Sequence, residues 1–177
     1  MKTTLVAVVL VALIGTASAG RRSFNSSSDY QSNGVFGLGI ELGAPDGLNG
    51  KLFLTPSQAL DFGIGEMFHY YYAGDGLHVY VDYLWHPKEL VRTEAFKLPF
   101  YIGVGGRLWF FDYGPGNNTN ASVFGIRVPI GMTFDMNNVP LDIFVQLVPT
   151  FDFYRNYDRH DFYLDVDFSL GIRYWFS

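Results

Sequence analysis

The C-terminal stretch FYLDVDFSLGIRYWF, residues 162–176, decides the fold because its side chains alternate in character with a period of two. One face carries Leu164, Val166, Phe168, Leu170, Ile172, Tyr174 and Phe176, and the other carries Asp165, Asp167, Ser169, Gly171 and Arg173. Successive side chains of a β-strand point to opposite faces of the sheet, so this alternation predicts a strand. The stretch is also long enough for a tilted strand that crosses a bilayer, which needs roughly 9–11 residues.

The same alternation recurs in seven earlier segments, which gives about eight strands. The predicted strands span residues 34–43, 48–54, 59–68, 77–85, 98–111, 122–134, 141–153 and 162–176. Turn sequences such as Ala44-Pro45-Asp46-Gly47 separate them, and the charged connection 87–97 is the one place where a single helical turn is expected to fit. We therefore predict an all-β protein folded as an antiparallel up-and-down barrel. An even strand count places both termini at one end and segments 69–76, 112–121 and 154–161 at the other.

The residue types of the two faces indicate which face is inside the barrel. A strand surface in water is typically rich in Lys, Glu and Thr, whereas here the polar face is mostly Gly with single Arg, Asp and Tyr residues. Small residues beside charges suit a crowded interior, and large apolar residues suit lipid. Charged residues make up only 16% of the chain, below the roughly 25% of soluble domains. The residue types and the low charge content favour a transmembrane barrel with its apolar face outward. The alternative is a soluble periplasmic lipocalin-like binding barrel with its apolar face inward.

The N-terminus has the pattern of a secretory signal peptide. Lys2 precedes an apolar run too short for a membrane-spanning helix, and Ala17 and Ala19 form the small-x-small pattern that predicts cleavage before Gly20. The expected organisation is a signal peptide at 1–19, a flexible polar segment without a packed core at 20–33, and a β-barrel domain at 34–177. Together with the transmembrane barrel, this export signal predicts that the mature protein lies in the outer membrane of a Gram-negative bacterium.

The last strand also has the form of an assembly signal. Leu170, Ile172, Tyr174 and Phe176 alternate up to the end of the chain. This resembles the C-terminal signal that the barrel-assembly machinery recognises in outer-membrane proteins, in which an aromatic residue is usually last. Ser177 follows Phe176 here and departs from that pattern.

Three short motifs carry a likeness to a known class of barrels. They are GLGI at 37–40, GVGGRL at 103–108 and GIRYWF at 171–176. With them, residues 34–176 resemble the small outer-membrane barrels of the OmpA/OmpX type, many of which have no assigned activity. The resemblance implies an integral outer-membrane protein with a structural or surface-interaction role, surrounded by outer-membrane lipid and inserted by the barrel-assembly machinery. An extracellular partner would be contacted through the loops.

Charged residues on the polar face are expected to pair with one another inside the barrel. The predicted lumen charge network consists of Glu41, Lys51, Asp61, Asp82, Arg107, Arg127, Asp142, Asp165, Asp167 and Arg173. An unpaired charge in a crowded interior is costly, so mutual pairing is favoured over an open ion path. Glu41 and Lys51 flank the same short turn and are expected to pair across it. Such a network would fill the lumen rather than leave a pore.

An enzymatic role is the runner-up, since some small outer-membrane barrels modify lipid A as acyltransferases or deacylases. The four histidines are His69, His78, His86 and His160, and no serine stands two residues after any of them. One predicted outer loop contains a cluster of Asp158, His160 and Asp161, and we expect it to be an ordinary solvated loop. We expect no catalytic residues, no cofactor and no metal site. The net charge of −5 and the lack of a basic stripe argue against a nucleic-acid partner.

The positions of aromatic and proline residues predict an aromatic girdle and local irregularities in the strands. Tyr83, Trp85, Tyr174 and Trp175 lie near strand ends, where an interfacial aromatic girdle is expected. Pro129 and Pro149 fall inside predicted strands, where proline cannot donate to the ladder, so bulges or bends are expected there. A bulge would reverse the facing of the residues beyond it.

Overall fold

The computed structural model describes residues 30–69, 74–112, 120–155 and 160–176, and these form nine antiparallel strands. The strands are β1 (Phe36–Gly43), β2 (Asp46–Thr55), β3 (Gln58–His69), β4 (Gly74–Arg92), β5 (Phe96–Asp112), β6 (Asn120–Arg127), β7 (Ile130–Met136), β8 (Leu141–Arg155) and β9 (His160–Phe176). The predicted signal peptide, 1–19, and its cleavage site lie outside the described residues.

The strands close into a ring because β9 pairs with β1, with Ile40 opposite Ile172. Strands β6 and β7 both lie between β5 and β8 and follow one another along the barrel, so together they take the place of one strand. The wall thus has eight positions, which confirms the predicted all-β, antiparallel up-and-down barrel of about eight strands. We call the end where β1 begins and β9 ends the proximal end, and the opposite end the distal end.

The two prolines explain the break between β6 and β7. Val128 and Pro129 separate these strands, and the Val128 N–H donates to the Pro149 carbonyl at 2.9 Å. The N–H and C=O of a strand residue point to the same side of the strand, and the Pro149 carbonyl points toward Val128. The side on which Pro149 lacks an N–H donor therefore also faces the break between β6 and β7. The facing does not reverse beyond it, since Arg127, Thr133 and Asp135 are all buried.

The connection at 87–97 differs from the prediction of a helical turn, which was wrong. Strand β4 continues to Arg92 and β5 starts at Phe96, so a β-hairpin extends at the proximal end. The β4–β5 register shifts between Trp85 and Lys88 and again between Glu89 and Val91. These irregularities interrupt the period of two, which is why the sequence did not indicate a strand there.

The outer surface of the barrel is apolar, and the interior is polar. Large apolar side chains are exposed on the outside of every strand. The exposed fraction is 52–62% for Ile40, Val81, Val104 and Leu164. Trp175 is a correction to the predicted girdle, because it is buried while Tyr83, Trp85 and Tyr174 are exposed. Trp175 follows Arg173 by two residues and therefore shares its inward face. No helix long and apolar enough to cross a membrane occurs within the described parts of the chain.

Candidate functional site: a charge network inside the barrel

The barrel interior brings together most of the predicted charged residues. Nine of the ten are buried, namely Glu41, Lys51, Asp61, Asp82, Arg107, Arg127, Asp142, Asp167 and Arg173. The exception is Asp165, whose side chain is 28% exposed. An eight-stranded barrel has room inside only for side chains, so inward groups from different strands can meet across the lumen.

Arg173 on β9 lies at the centre of the proximal half of the network. Its Nη1 donates to Asp61 Oδ1 at 2.7 Å and to Asn49 Oδ1 at 3.1 Å, and its Nε donates to Asp142 Oδ1 at 3.0 Å. The guanidinium also lies over the Phe144 ring, 4.1 Å from its centroid. One arginine thus binds two buried carboxylates from β3 and β8 and fixes three strands relative to one another.

Arg107 on β5 organises the distal half. It binds Asp152 on β8 through Nε and Nη2, and its Nη1 lies 2.6 Å from Asp167 Oδ2 on β9. Asp165 approaches Nη2 at 3.5 Å and is the partly exposed member of this group. The guanidinium therefore has carboxylates on two sides, which fits its planar set of donors.

Arg127 lies between these two groups. Its Nε donates to Asp82 Oδ2 at 3.2 Å, and its guanidinium lies 3.9 Å from the centroid of the Tyr80 ring. Tyr80 and Asp82 are consecutive inward residues of β4, so one strand supplies both the anion and the aromatic face. The contact with an aromatic face helps to stabilise a buried cation.

Glu41 is bound by neutral donors. The Tyr80 hydroxyl donates to Glu41 Oε2 at 2.5 Å, and the side-chain amides of Asn49 and Gln146 each lie 3.4 Å from a Glu41 oxygen. The predicted Glu41–Lys51 pair was wrong. In the β1–β2 ladder Glu41 lies opposite Gly47 and Lys51 lies opposite Gly37, so the two side chains are four positions apart along the barrel.

Lys51 instead pairs with His86. Its Nζ lies 2.9 Å from His86 Nε2, and His86 Nδ1 lies 3.0 Å from the Ser57 carbonyl oxygen. A carbonyl only accepts, so Nδ1 carries the proton and Nε2 accepts from Lys51. The Lys51 ammonium also lies near the rings of Tyr101 and Phe53, at 4.8 and 5.2 Å from their centroids.

The N-terminal segment closes the proximal end and corrects another prediction. Residues 30–33 were expected to be flexible, yet Tyr30 is buried and its hydroxyl donates to Asp135 Oδ2 at 2.9 Å. Burial, and after it the Asp135 carboxylate, raises the pKa of the Tyr30 phenol well above its ordinary value, so the hydroxyl stays protonated. Asn33 binds the same carboxylate through its backbone N–H and its side-chain amide. The other residues of the predicted 20–33 segment lie outside the described ranges.

Inward glycines make room for the large interior side chains. Gly63 lies opposite Tyr80, Gly131 opposite Tyr101, and Gly171 opposite Phe144. A Cβ added at any of these glycines would lie 2.3–2.5 Å from the facing ring. The alternation of glycine and aromatic residues across neighbouring strands therefore fills the lumen without overlap.

Several members of the network were missed at the level of sequence. They are Asn49, Tyr80, His86, Tyr101, Asp135, Gln146 and Asp152, all buried and all bonded to a network residue or to Tyr30. Five of them lie on the inward face of a predicted strand, and His86 and Asp135 each lie one residue beyond the end of one. The period of two would therefore have found all seven, had polar residues without a formal charge and the residues next to the strand ends been included.

The arrangement brings buried arginines and buried carboxylates into mutual contact. Within the described residues, no group of three or more His, Asp or Glu side chains could hold a metal ion. Asp158 of the predicted outer-loop cluster lies outside the described residues, and His160 and Asp161 are described only as the first residues of β9. The buried carboxyl groups bind arginines or neutral donors that fix their positions.

Comparisons with known proteins agree with the barrel. The family model described as "Protein of unknown function (DUF3996)" matches residues 27–176. No curated protein matches the chain. The crystal structure of the N-terminal β-barrel domain of Pseudomonas aeruginosa OprF is similar, with a TM-score of 0.58 and 15% sequence identity. The match covers 81% of this chain and 98% of that chain, and it shows a shared fold.

Proposed function

This chain belongs to the DUF3996 family, whose function is unknown, and from its structure we propose an integral outer-membrane β-barrel protein with a structural or surface-interaction role. The observation that carries the proposal is the distribution of residue types across the wall. Apolar residues such as Leu48, Val104 and Leu164 are exposed on the outside, while Arg107, Arg127 and Arg173 are buried inside. Water would favour the opposite arrangement, whereas a bilayer favours this one.

We further propose that the lumen is closed to ions. Side chains of all three arginines reach across the interior to other strands, and the wide aromatic residues Tyr80, Tyr101 and Phe144 are buried in the same lumen. A barrel of this size has no interior to spare once such side chains fill it. The charges are therefore expected to hold the wall together rather than to line a water path.

The remaining contacts of the protein follow from this location. Outer-membrane lipid surrounds the apolar outer surface, and the barrel-assembly machinery inserts the chain by recognising Leu170, Ile172, Tyr174 and Phe176. The distal loops are available for an extracellular partner. Residues 1–19 are expected to be removed during export, and N-terminal sequencing of the mature protein should give Gly20 as its first residue.

Two measurements test the proposal. Fractionation of cells that express the chain should place it in the outer membrane, extractable only with detergent and with heat-modifiable mobility on gels. Detergent-folded protein added to planar bilayers should give little or no ion conductance. Recovery in the soluble periplasmic fraction would overturn the location, and large, stable single-channel currents would overturn the closed lumen.

A further inference from the structure

We propose that the proximal mouth of the barrel is a built pocket for a phenol group, and that Tyr30 of this chain occupies it as a removable plug. The pocket is defined by His86, Phe53 and Asp135. The existence of the pocket rests on geometry alone, while its position at one end of a membrane-embedded barrel rests on the proposed function.

The contacts of Tyr30 match both parts of a phenol. Its ring stacks on the His86 ring with centroids 5.3 Å apart and an interplanar angle of 30°, and it lies 6.0 Å from the Phe53 ring. Its hydroxyl donates to Asp135 Oδ2 at 2.9 Å. Apolar walls with one charged acceptor at the end are the features that give a small-molecule site its specificity. A ligand with an aromatic ring and a hydroxyl donor in line with it satisfies this set.

The walls of the pocket do not depend on Tyr30 for their position. Phe53 packs against Trp175 with ring centroids 5.6 Å apart, and the His86 ring is fixed by Lys51 and by the Ser57 carbonyl. Asp135 lies on β7 between Lys97 of β5 and Asp142 of β8, so the strand ladder fixes its backbone. The pocket should therefore persist when the phenol is removed.

Part of the chain around Tyr30 is held at the exposed rim. Lys97 Nζ donates to the Gln31 carbonyl at 2.9 Å and to Asn33 Oδ1, and the Asn33 amide donates to the Met136 carbonyl. These contacts are exposed, and exposed polar contacts contribute little to stability. The barrel itself is closed by the β1–β9 ladder, which begins only at Phe36. The segment can thus leave the mouth without opening the wall.

Withdrawal of Tyr30 would uncover one end of the charge network. His86 and, behind it, Lys51 lie directly against the pocket. The ion pairs of Arg107, Arg127 and Arg173 lie farther into the barrel and do not include Tyr30. The lumen accordingly has a fixed part, built from strand residues, and one removable part at the proximal mouth.

Chemical complementation of Tyr30→Gly with p-cresol, the side chain of tyrosine as a free molecule, tests the pocket. In detergent-folded protein, p-cresol should bind saturably to Tyr30→Gly and raise its unfolding temperature, and it should not do so for the unaltered chain. Toluene, which lacks the hydroxyl, should bind Tyr30→Gly roughly 10- to 100-fold more weakly because it cannot bond to Asp135. Tyr83→Gly, which removes an exposed outward tyrosine, is the matched control. Equal p-cresol effects on Tyr30→Gly and Tyr83→Gly, or no effect on either, would overturn the pocket.

A second measurement covers the case in which Tyr30→Gly does not fold. Tyr30→Phe keeps the ring and removes the hydroxyl that donates to Asp135, so the plug should leave the mouth more often. The rate at which diethyl pyrocarbonate modifies His86 should then rise about 10-fold or more over the unaltered chain, with no change in Tyr83→Phe. Equal His86 rates in Tyr30→Phe and the unaltered chain would overturn the removable plug. Both experiments use detergent-folded protein, so their outcome is independent of whether the protein resides in the outer membrane.

Discussion

Arg173→Met should destabilise the barrel strongly, because it removes the cation shared by two buried carboxylates. Asp61 and Asp142 are 2.7 and 3.0 Å from the guanidinium, and both are essentially inaccessible to solvent. Methionine replaces much of the volume, so the loss is chiefly electrostatic. Breaking a buried ion pair by removing one partner costs about 3–5 kcal/mol. Urea-dependent unfolding in lipid vesicles, followed by tryptophan fluorescence and by heat-modifiable gel mobility, measures this loss of unfolding free energy.

Two control variants separate pairing from other effects of the substitution. Arg92→Met removes an arginine whose side chain is 59% exposed from a partner, Glu89, whose side chain is 5% exposed. It should cost about 1–2 kcal/mol, less than Arg173→Met, because only one carboxylate loses its cation and that cation is already in contact with solvent. The triple variant Arg173→Met, Asp61→Asn, Asp142→Asn should regain part of the stability lost by Arg173→Met, because no lone charge remains buried. Equal losses for Arg173→Met and Arg92→Met, or a triple variant whose losses simply add, would refute the pairing argument.

Two further substitutions test the packing and the facing of the wall. Gly63→Ala should cost about 1–3 kcal/mol, because its Cβ would lie 2.3 Å from Tyr80 Cε1. Gly106→Ala should be tolerated, because the nearest atom to its Cβ would be 3.6 Å away. Similar unfolding midpoints in urea for the two variants would contradict this expectation. Leu170→Lys places a charge at the middle of the outward apolar row that runs from Leu164 to Phe176 on β9, and it should cost about 2–4 kcal/mol in vesicles. Leu90→Lys, on the proximal hairpin, should cost about 1 kcal/mol or less, and equal costs would show that the two sites do not differ in their contact with lipid.

The strand pattern was predictable from sequence because the period of two is a local property. The alternation from Leu164 to Phe176 put Arg173 and Asp167 on one face, and the structure buries both. That face carries Gly where a water-exposed strand would carry Lys and Thr, and this composition correctly indicated that it faces the barrel interior. The break at Pro129 left the facing unchanged because β6 and β7 keep the same register parity against β8.

Pairing inside the barrel was less predictable because it depends on contacts between distant residues. The partners of Arg107 come from β8 and β9, 45 and 60 residues away, and Tyr30 meets Asp135 across 105 residues. Proximity along the chain suggested Glu41 and Lys51 as a pair, whereas the ladder keeps them apart. Trp175 was assigned to the girdle by its nearness to the strand end, although its parity with Arg173 placed it inside.

Quenching of the three tryptophans by brominated lipid tests most directly whether the apolar outer surface meets a bilayer. Trp85 is 43% exposed on the outside, while Trp109 and Trp175 are buried in the interior. Single-tryptophan variants, with the other two replaced by phenylalanine, would be folded into vesicles that carry bromine on the acyl chains. We predict strong quenching of Trp85 and weak quenching of Trp109 and Trp175. Strong quenching of the two buried tryptophans with little effect on Trp85, or no quenching of any of them, would contradict the account.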